Sequence, residues 1–297
     1  MNAAELVRTE GSHVTTLGGR QVHLEVEPGR GGDPGTPVLL VPGCAVPSYA
    51  FRPVRTAMPG RWFVAIDRPG MVGTPWPGRL PTLAEEVATL LELCEALGRP
   101  PVVVAHSMAG PHVEALVRQH PGAVSGLVLL DASIELDAKP APAALDRAWL
   151  AASRLALQGS RLPPFALVAS LSTRVAVWSQ SHRLPIDYDR PPGTDDLFRR
   201  PDTLASLVAE QAAYADQLAD LQTLLESTTW PGTPSVVLTA GSRAAWVRKQ
   251  RVLAHRVGGR QVVVERSRHL MMLDRPDVVA EAVLGLLPED ERGPEQG

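Results

Sequence analysis

Six short, wholly apolar runs constrain this chain most. They fall at residues 38–41 (Val-Leu-Leu-Val), 62–66, 102–105, 127–130, 236–238 and 262–264. A strand with one wet face alternates apolar and polar residues, whereas an unbroken apolar run of this length marks a strand buried on both faces. Helical patterns lie between the runs. Leu83, Val87, Leu90, Leu91, Cys94 and Leu97 recur at helical spacing on one face. Thr82 with Glu85 three residues on predicts a capping box, and Gly98 followed by Pro100 predicts the stop. Residues 109–120 and 276–287 read as further helices, with Pro276 at the favoured first position. Strands alternating with helices predict a mostly parallel sheet flanked by helices, in the α/β class. Residues 22–27 alternate and read as a half-buried strand.

One segment breaks this rhythm. Residues 133–230 carry helical patterns at 143–157 and 203–225, Pro-rich joints such as Arg190-Pro191-Pro192-Gly193, and no clear strand. The expected organisation is therefore a core from 1–132 and 231–287 with a helical cap insertion at 133–230. The charged, Gly/Pro-rich stretch 288–297 reads as a disordered tail.

Composition excludes several classes. The chain of 297 residues is 44% hydrophobic and 21% charged with a net charge of -3, which suits a sizeable core and gives no basic excess for nucleic acid. Cys44 and Cys94 form no Cys-x-x-Cys pair, so neither a zinc knuckle nor a disulfide framework is expected. Neither a secretory leader nor a membrane span is apparent in the apolar pattern, and a reduced, cytoplasmic location is the expectation.

The chemistry centres on Val102-Val103-Val104-Ala105-His106-Ser107-Met108-Ala109-Gly110. A buried strand runs into a serine and a helix follows at once. Such a reversal pushes the Ser107 side chain out at the strand end. It also demands small residues two before and two after, here Ala105 and Ala109 in place of the usual glycines. A second segment, Val262 to His269, is a strand and short loop ending in histidine.

Taken with Leu39-Leu40-Val41-Pro42-Gly43-Cys44-Ala45 and Asp67-Arg68-Pro69-Gly70-Met71-Val72-Gly73-Thr74, these segments resemble the α/β-hydrolase fold family over nearly the whole chain. The resemblance implies Ser107 as nucleophile, His269 as general base, and the backbone N–H groups of Cys44 and Met108 as oxyanion donors. It requires no metal or organic cofactor. The family's acid commonly sits in a Gly-x-x-Asp turn after the next-to-last strand. Here that turn reads Gly241-Ser242-Arg243-Ala244, and no Asp or Glu occurs between Glu226 and Glu265. Some members place the acid one strand earlier, where Asp131 follows the run at 127–130, so Asp131 is the candidate. Its carboxylate must then reach a ring nitrogen of His269 within about 3.2 Å. Glu135, Asp137 and Glu265 are the other carboxylates within range of the strand ends. Asp67 takes a structural part.

His106, Trp149 and Trp178 are expected to line the substrate pocket, with Phe165 and Tyr214 as further aromatic residues in the cap. The expected activity is a serine hydrolase, carboxylesterase-like, cleaving an ester or related acyl bond (lactone, thioester) of a small apolar substrate through an acyl-enzyme. The alternative is a weak or inactive relative that binds a small ligand under its cap, an idea motivated by the missing acid and the two alanines. Partners other than a small-molecule substrate are not expected, neither nucleic acid nor membrane.

Overall fold

The computed structural model describes residues 2–31, 34–159, 161–183, 197–241 and 243–292. Its centre is an eight-stranded sheet. The strands are β1 (Gly11–Leu17), β2 (Arg20–Glu27), β3 (Val38–Val41), β4 (Phe63–Ile66), β5 (Val102–His106), β6 (Gly126–Leu130), β7 (Ser235–Ala240) and β8 (Arg260–Val264). Their order is β1-β2-β4-β3-β5-β6-β7-β8. The pairs β1–β2 and β2–β4 are antiparallel and every other pair is parallel.

The apolar runs become strands because each supplies both faces of the sheet at once. Leu39, Val41, Val103, Ala105, Leu127, Leu129 and Val237 join one core. Their neighbours Val38, Leu40, Val102, Val104, Val128, Leu130 and Val236 join the other. This period of two follows from the pleat. Each fully buried Val or Leu contributes roughly 1.5–3 kcal/mol, so a one-residue slip in any central strand is strongly disfavoured.

The helices are α1 (Ala3–Leu6), α2 (Arg52–Ala57), α3 (Leu83–Leu97), α4 (Ala109–Gln119), α5 (Ala143–Gly159), α6 (Pro163–Trp178), α7 (Pro201–Ser227), α8 (Ala244–Arg256), α9 (Met271–Asp274) and α10 (Pro276–Leu284). Helix α3 starts in the capping box of Thr82 and Glu85 and stops at Gly98, whose φ of 75° is left-handed. Helices α5, α6 and α7 all lie between β6 and β7, which is the helical insertion read from the sequence. None of the described helices is long and apolar enough to cross a membrane.

One strand was missed in the sequence and two expectations need correction. Strand β1 was not legible: it is a polar edge strand, exposed over most of its length. The run at 262–264 is an edge strand too, and Val263 is exposed, so apolar content there does not mean burial on both faces. The tail is attached further than expected. Glu289–Glu291 form a short 3-10 turn, and the Glu291 carboxylate accepts from the Thr36 N–H at 2.8 Å and from its hydroxyl at 2.9 Å. Residues 293–297 lie outside the described residues.

Candidate active site

Three side chains meet above the C-terminal ends of β5, β6 and β8. Ser107 directly follows β5, two residues before α4, and holds φ at 53°, a left-handed value that a non-glycine residue adopts only under constraint. The constraint is local. The Ser107 N–H donates to the Leu130 carbonyl at 3.0 Å, and the Ser107 carbonyl accepts from Ser133 N at 2.9 Å and Gly110 N at 3.0 Å. Close packing makes the turn possible. A Cβ built on Gly110 would lie 2.5 Å from the Ala132 Cβ, and one on Gly43 would lie 2.7 Å from the Ser107 Cβ. Ala105 and Ala109 are both fully buried at the turn.

His269 Nε2 is 2.9 Å from Ser107 Oγ, and its Nδ1 is 2.7 Å from Asp131 Oδ2. A carboxylate only accepts, so the Nδ1 carries the proton and the neutral ring leaves Nε2 free to accept from the Ser107 hydroxyl. The loop bearing His269 is pinned from both sides. Leu270 N donates to the Gln180 carbonyl at 2.8 Å, and Arg268 N donates to Asp274 Oδ2 at 2.8 Å. The other Asp274 oxygen accepts from the Ser181 hydroxyl at 2.6 Å, which ties α9 to the end of the cap segment.

Asp131 is buried and sits at φ 44°, which an aspartate tolerates better than most residues. Its Oδ1 accepts from the Ala240 N–H at 3.0 Å and the Trp246 indole N–H at 2.6 Å. Both donors come from the end of β7 and from α8, the place where the resembling family commonly carries its acid. With no acid there, that region instead supplies the hydrogen bonds that aim a carboxylate from β6. Trp246 and Ala240 had no sequence signal, because their role exists only once β6 and β7 pair.

The remaining acids lie elsewhere. Glu135 pairs with Lys249 at 2.9 Å and Asp137 with Lys139 at 3.5 Å, while Glu265 is exposed. Among the described residues no group of three or more His, Cys, Asp or Glu side chains could hold a metal ion.

Cys44 and Met108 flank Ser107, Cys44 through Gly43. Neither N–H has an acceptor among the described residues. The Cys44 thiol accepts from Gln211 Nε2 at 3.5 Å, and burial together with nearby Glu210 pushes the thiol well above its usual range. It is thus a poor nucleophile.

His106 was expected to line the pocket, and the structure places it in the interior instead, 1% exposed. The Gly43 N–H donates to its Nδ1 at 3.3 Å, so Nε2 carries the proton and donates to the His269 carbonyl at 3.0 Å. The ring therefore braces the Gly43 loop against the His269 loop. Burial, then the neighbouring His269 ring, pushes its pKa well down and keeps it neutral. Trp149 stands on α5 and is 40% exposed, and its side chain makes none of the contacts that hold the three residues. Phe165 on α6 is also exposed. Tyr214 on α7 is half-buried. Trp178 closes α6, but its side chain lies outside the described residues.

A buried charge network joins α7 to α4 and to the loop after β4. Arg68 donates through Nε to Glu210 at 2.7 Å and through Nη1 to His112 Nδ1 at 2.9 Å. His112 then donates through Nε2 to Gln217 at 2.9 Å. Glu86 is bound by Arg20 through paired contacts of 2.8 and 2.9 Å. Burial alone would raise Glu86, but Arg20 and Arg68 outweigh it and hold the carboxylate well below its usual range. The α7 hydroxyls of Thr203 and Ser206 donate to the carbonyls of Gly70 and Pro69.

Comparison with known proteins bears on the fold. Residues 38–282 match the model of the alpha/beta hydrolase family. The chain belongs to that family and is a hydrolase of the α/β fold. Solved structures similar to it include Cfl2 from Burkholderia cenocepacia, with a TM-score of 0.70, 19% identity and coverage of 93% of this chain and 95% of that one. The Cif epoxide hydrolase from Acinetobacter nosocomialis has a TM-score of 0.70 and 16% identity over 94% and 89%. A loop variant of the haloalkane dehalogenase DbeA from Bradyrhizobium elkanii has a TM-score of 0.63 and 15% identity over 93% and 97%. No curated protein sequence matches the chain.

Proposed function

We propose that this hydrolase cleaves a carboxylic ester or a related acyl bond, such as a lactone or thioester, of a small molecule through an acyl-enzyme. The observation that carries the reading is the continuous chain from Ser107 Oγ to His269 Nε2 at 2.9 Å and from His269 Nδ1 to Asp131 Oδ2 at 2.7 Å. As His269 takes the hydroxyl proton, Ser107 Oγ attacks the carbonyl carbon. The N–H groups of Cys44 and Met108 receive the developing oxyanion, an interaction worth several kcal/mol in such sites. His269 returns the proton to the leaving group, and a water repeats the cycle to release the acid. Asp131 keeps the proton on Nδ1 and stabilises the imidazolium.

Two of the similar structures are an epoxide hydrolase and a haloalkane dehalogenase. Chemistry argues against carrying those activities over. A serine that displaces a group from an alkyl carbon becomes an ether, which has no carbonyl for water to attack, so turnover stops. A serine that attacks an acyl carbon becomes an ester, which the same histidine can hydrolyse.

The test is labelling with a fluorophosphonate, with the modified residue located by peptide mapping, alongside turnover of p-nitrophenyl esters. Wild type should carry the label on Ser107 and turn over esters. Ser107→Ala should lose turnover. A wild-type protein that leaves Ser107 unlabelled and esters intact would overturn the proposal.

A further inference from the structure

A second serine–histidine–aspartate chain lies at the other end of the molecule's sheet. Ser12 is on β1, His23 on β2, and Asp67 follows β4 directly. The order β1-β2-β4 makes these neighbours. His23 Nδ1 is 2.7 Å from Asp67 Oδ2, and His23 Nε2 is hydrogen-bonded to Ser12 Oγ. The tautomer logic is the same as at Ser107. Asp67 can only accept, so the ring proton sits on Nδ1 and Nε2 accepts from the Ser12 hydroxyl. Asp67 is itself held by the Ser48 N–H at 2.8 Å and the Ser48 hydroxyl at 2.7 Å. Exposure is graded along the chain: Ser12 is open, His23 is 6% exposed and Asp67 1%.

Ser12 and His23 line a cavity of about 650 Å³. Its charged lining is uneven. Glu25 is bound by Arg55 at 2.7 Å and lies 3.8 Å from Arg52. Glu10 and Glu27, also in the lining, have no partner among the described residues. The cavity thus offers a base-activated hydroxyl beside two unpaired carboxylates.

We propose that Ser12 is a second acyl-acceptor site, taking small esters that carry a positive charge, with His23 as its base and Asp67 orienting His23. The Ser12 proton passes to His23 Nε2 and a Ser12 Oγ–acyl bond forms. The acyl–oxygen bond of the ester breaks, and His23 hands the proton to the departing alcohol. Water then attacks the acyl-serine, its proton again taken by His23, and the acid leaves as Ser12 is restored. Ser12 lies in ordinary extended strand, without the left-handed backbone of Ser107. Deacylation is therefore slow and the acyl-serine accumulates.

The experiment uses Ser107→Ala, so that the first site is silent. Two p-nitrophenyl esters are compared, one ending in trimethylammonium and one in the neutral isostere. The expected result is a stoichiometric burst of p-nitrophenolate, faster for the cationic ester by about tenfold, the scale of one favourable charge contact near the surface. The adduct should map to Ser12 in the tryptic peptide 9–20 and be lost in Ser107→Ala/Ser12→Ala. Glu10→Gln and Glu27→Gln should erase the preference for the cationic ester. An unmodified Ser12, or one acylated no faster than Thr15 and Thr16 on the same strand, overturns the site. Equal rates for the two esters overturn the ligand class. Neither result touches the Ser107 proposal, which is read in wild type at a different peptide.

Discussion

The two serine–histidine–aspartate chains share their hydrogen bonds and differ in their backbones. In both, serine Oγ meets histidine Nε2, and histidine Nδ1 lies 2.7 Å from a carboxylate. At the first, the serine stands on a strained turn at φ 53° and a helix begins two residues beyond it. At the second, the serine lies within an edge strand. The histidines also differ in access, with the His269 side chain 28% exposed and His23 only 8%. The comparison teaches a division of labour. Side-chain hydrogen bonds decide where a proton sits, but the backbone decides whether the oxyanion is met. Electrostatic stabilisation at the oxyanion is usually the largest single contribution, so equal side-chain chains predict unequal turnover.

Removing the serines breaks the comparison most sharply. Ser107→Ala should cost on the order of 10⁶ in kcat for an ester, as losing the nucleophile does in well-studied serine hydrolases. What remains should be the burst at Ser12, without sustained turnover. Steady turnover of Ser107→Ala near the wild-type rate, measured with a p-nitrophenyl ester, would reverse the assignment of roles.

The carboxylates come next. Asp131→Asn should lower kcat by about 10⁴-fold with the protein still folded, because the wrong tautomer then faces Ser107. A loss within about twofold would make Asp131 structural only. Asp67 is held by both Ser48 groups and by His23. Asp67→Asn should therefore register in the unfolding midpoint, at about 1–3 kcal/mol for a disturbed buried hydrogen-bonding group. Chemical denaturation and steady-state kinetics on both variants separate the two outcomes.

The same contrast explains what was legible in the sequence. The central strands were visible because burial on both faces leaves nothing polar in them. Ser107 and His269 stood out through local context, a strand end followed by a helix or a loop. Asp131 emerged from an empty position, since the turn at Gly241 lacks a carboxylate, and its oxygen is 2.7 Å from His269. Contacts between distant segments were not legible. Trp246 and Asp131 are 115 residues apart, and Arg68 and Glu210 are 142 apart. Nothing local marks either pair. His106 was misplaced for a related reason. Beside a nucleophile a histidine suggests a pocket, and only the folded loops show that both its nitrogens are spent on Gly43 and His269. Ser12 and His23 carried no site signal, because residues 22–27 read only as a half-buried strand and strand β1 has no apolar signature.

A third histidine sharpens the point about partners. His112 has an arginine, not a carboxylate, at its Nδ1. Burial, then the Arg68 charge, lowers its pKa from 6.5 to about 4. It is neutral in the fold, whereas in the unfolded chain it takes a proton below about pH 6.5. Its contribution to stability is therefore complete above pH 6.5, falls as the pH drops, and levels off below about 4. Between pH 7 and 5 the loss should be about 2 kcal/mol. His106, lowered by burial as well, acts in the same direction. Urea unfolding of wild type and His112→Gln at both pH values checks this. The variant should show the smaller difference between them, and an equal difference would mean that His112 does not hold its neutral form against Arg68.

The smallest effect concerns the donors behind Asp131. Its Oδ1 has two, the Trp246 indole at 2.6 Å and the Ala240 N–H at 3.0 Å. Trp246→Phe keeps the packing and removes one charge-assisted hydrogen bond, worth about 1.5–3 kcal/mol. Part of that reaches the transition state, through a carboxylate that swings more freely behind His269, so kcat should fall about tenfold with KM little changed. The unfolding midpoint, read beside kcat, distinguishes this from simple destabilisation. Asp67 keeps its Ser48 donors throughout, so the Ser12 burst should be untouched in the same variant. A kcat within about twofold of wild type would mean that the Ala240 N–H alone holds Asp131 in place.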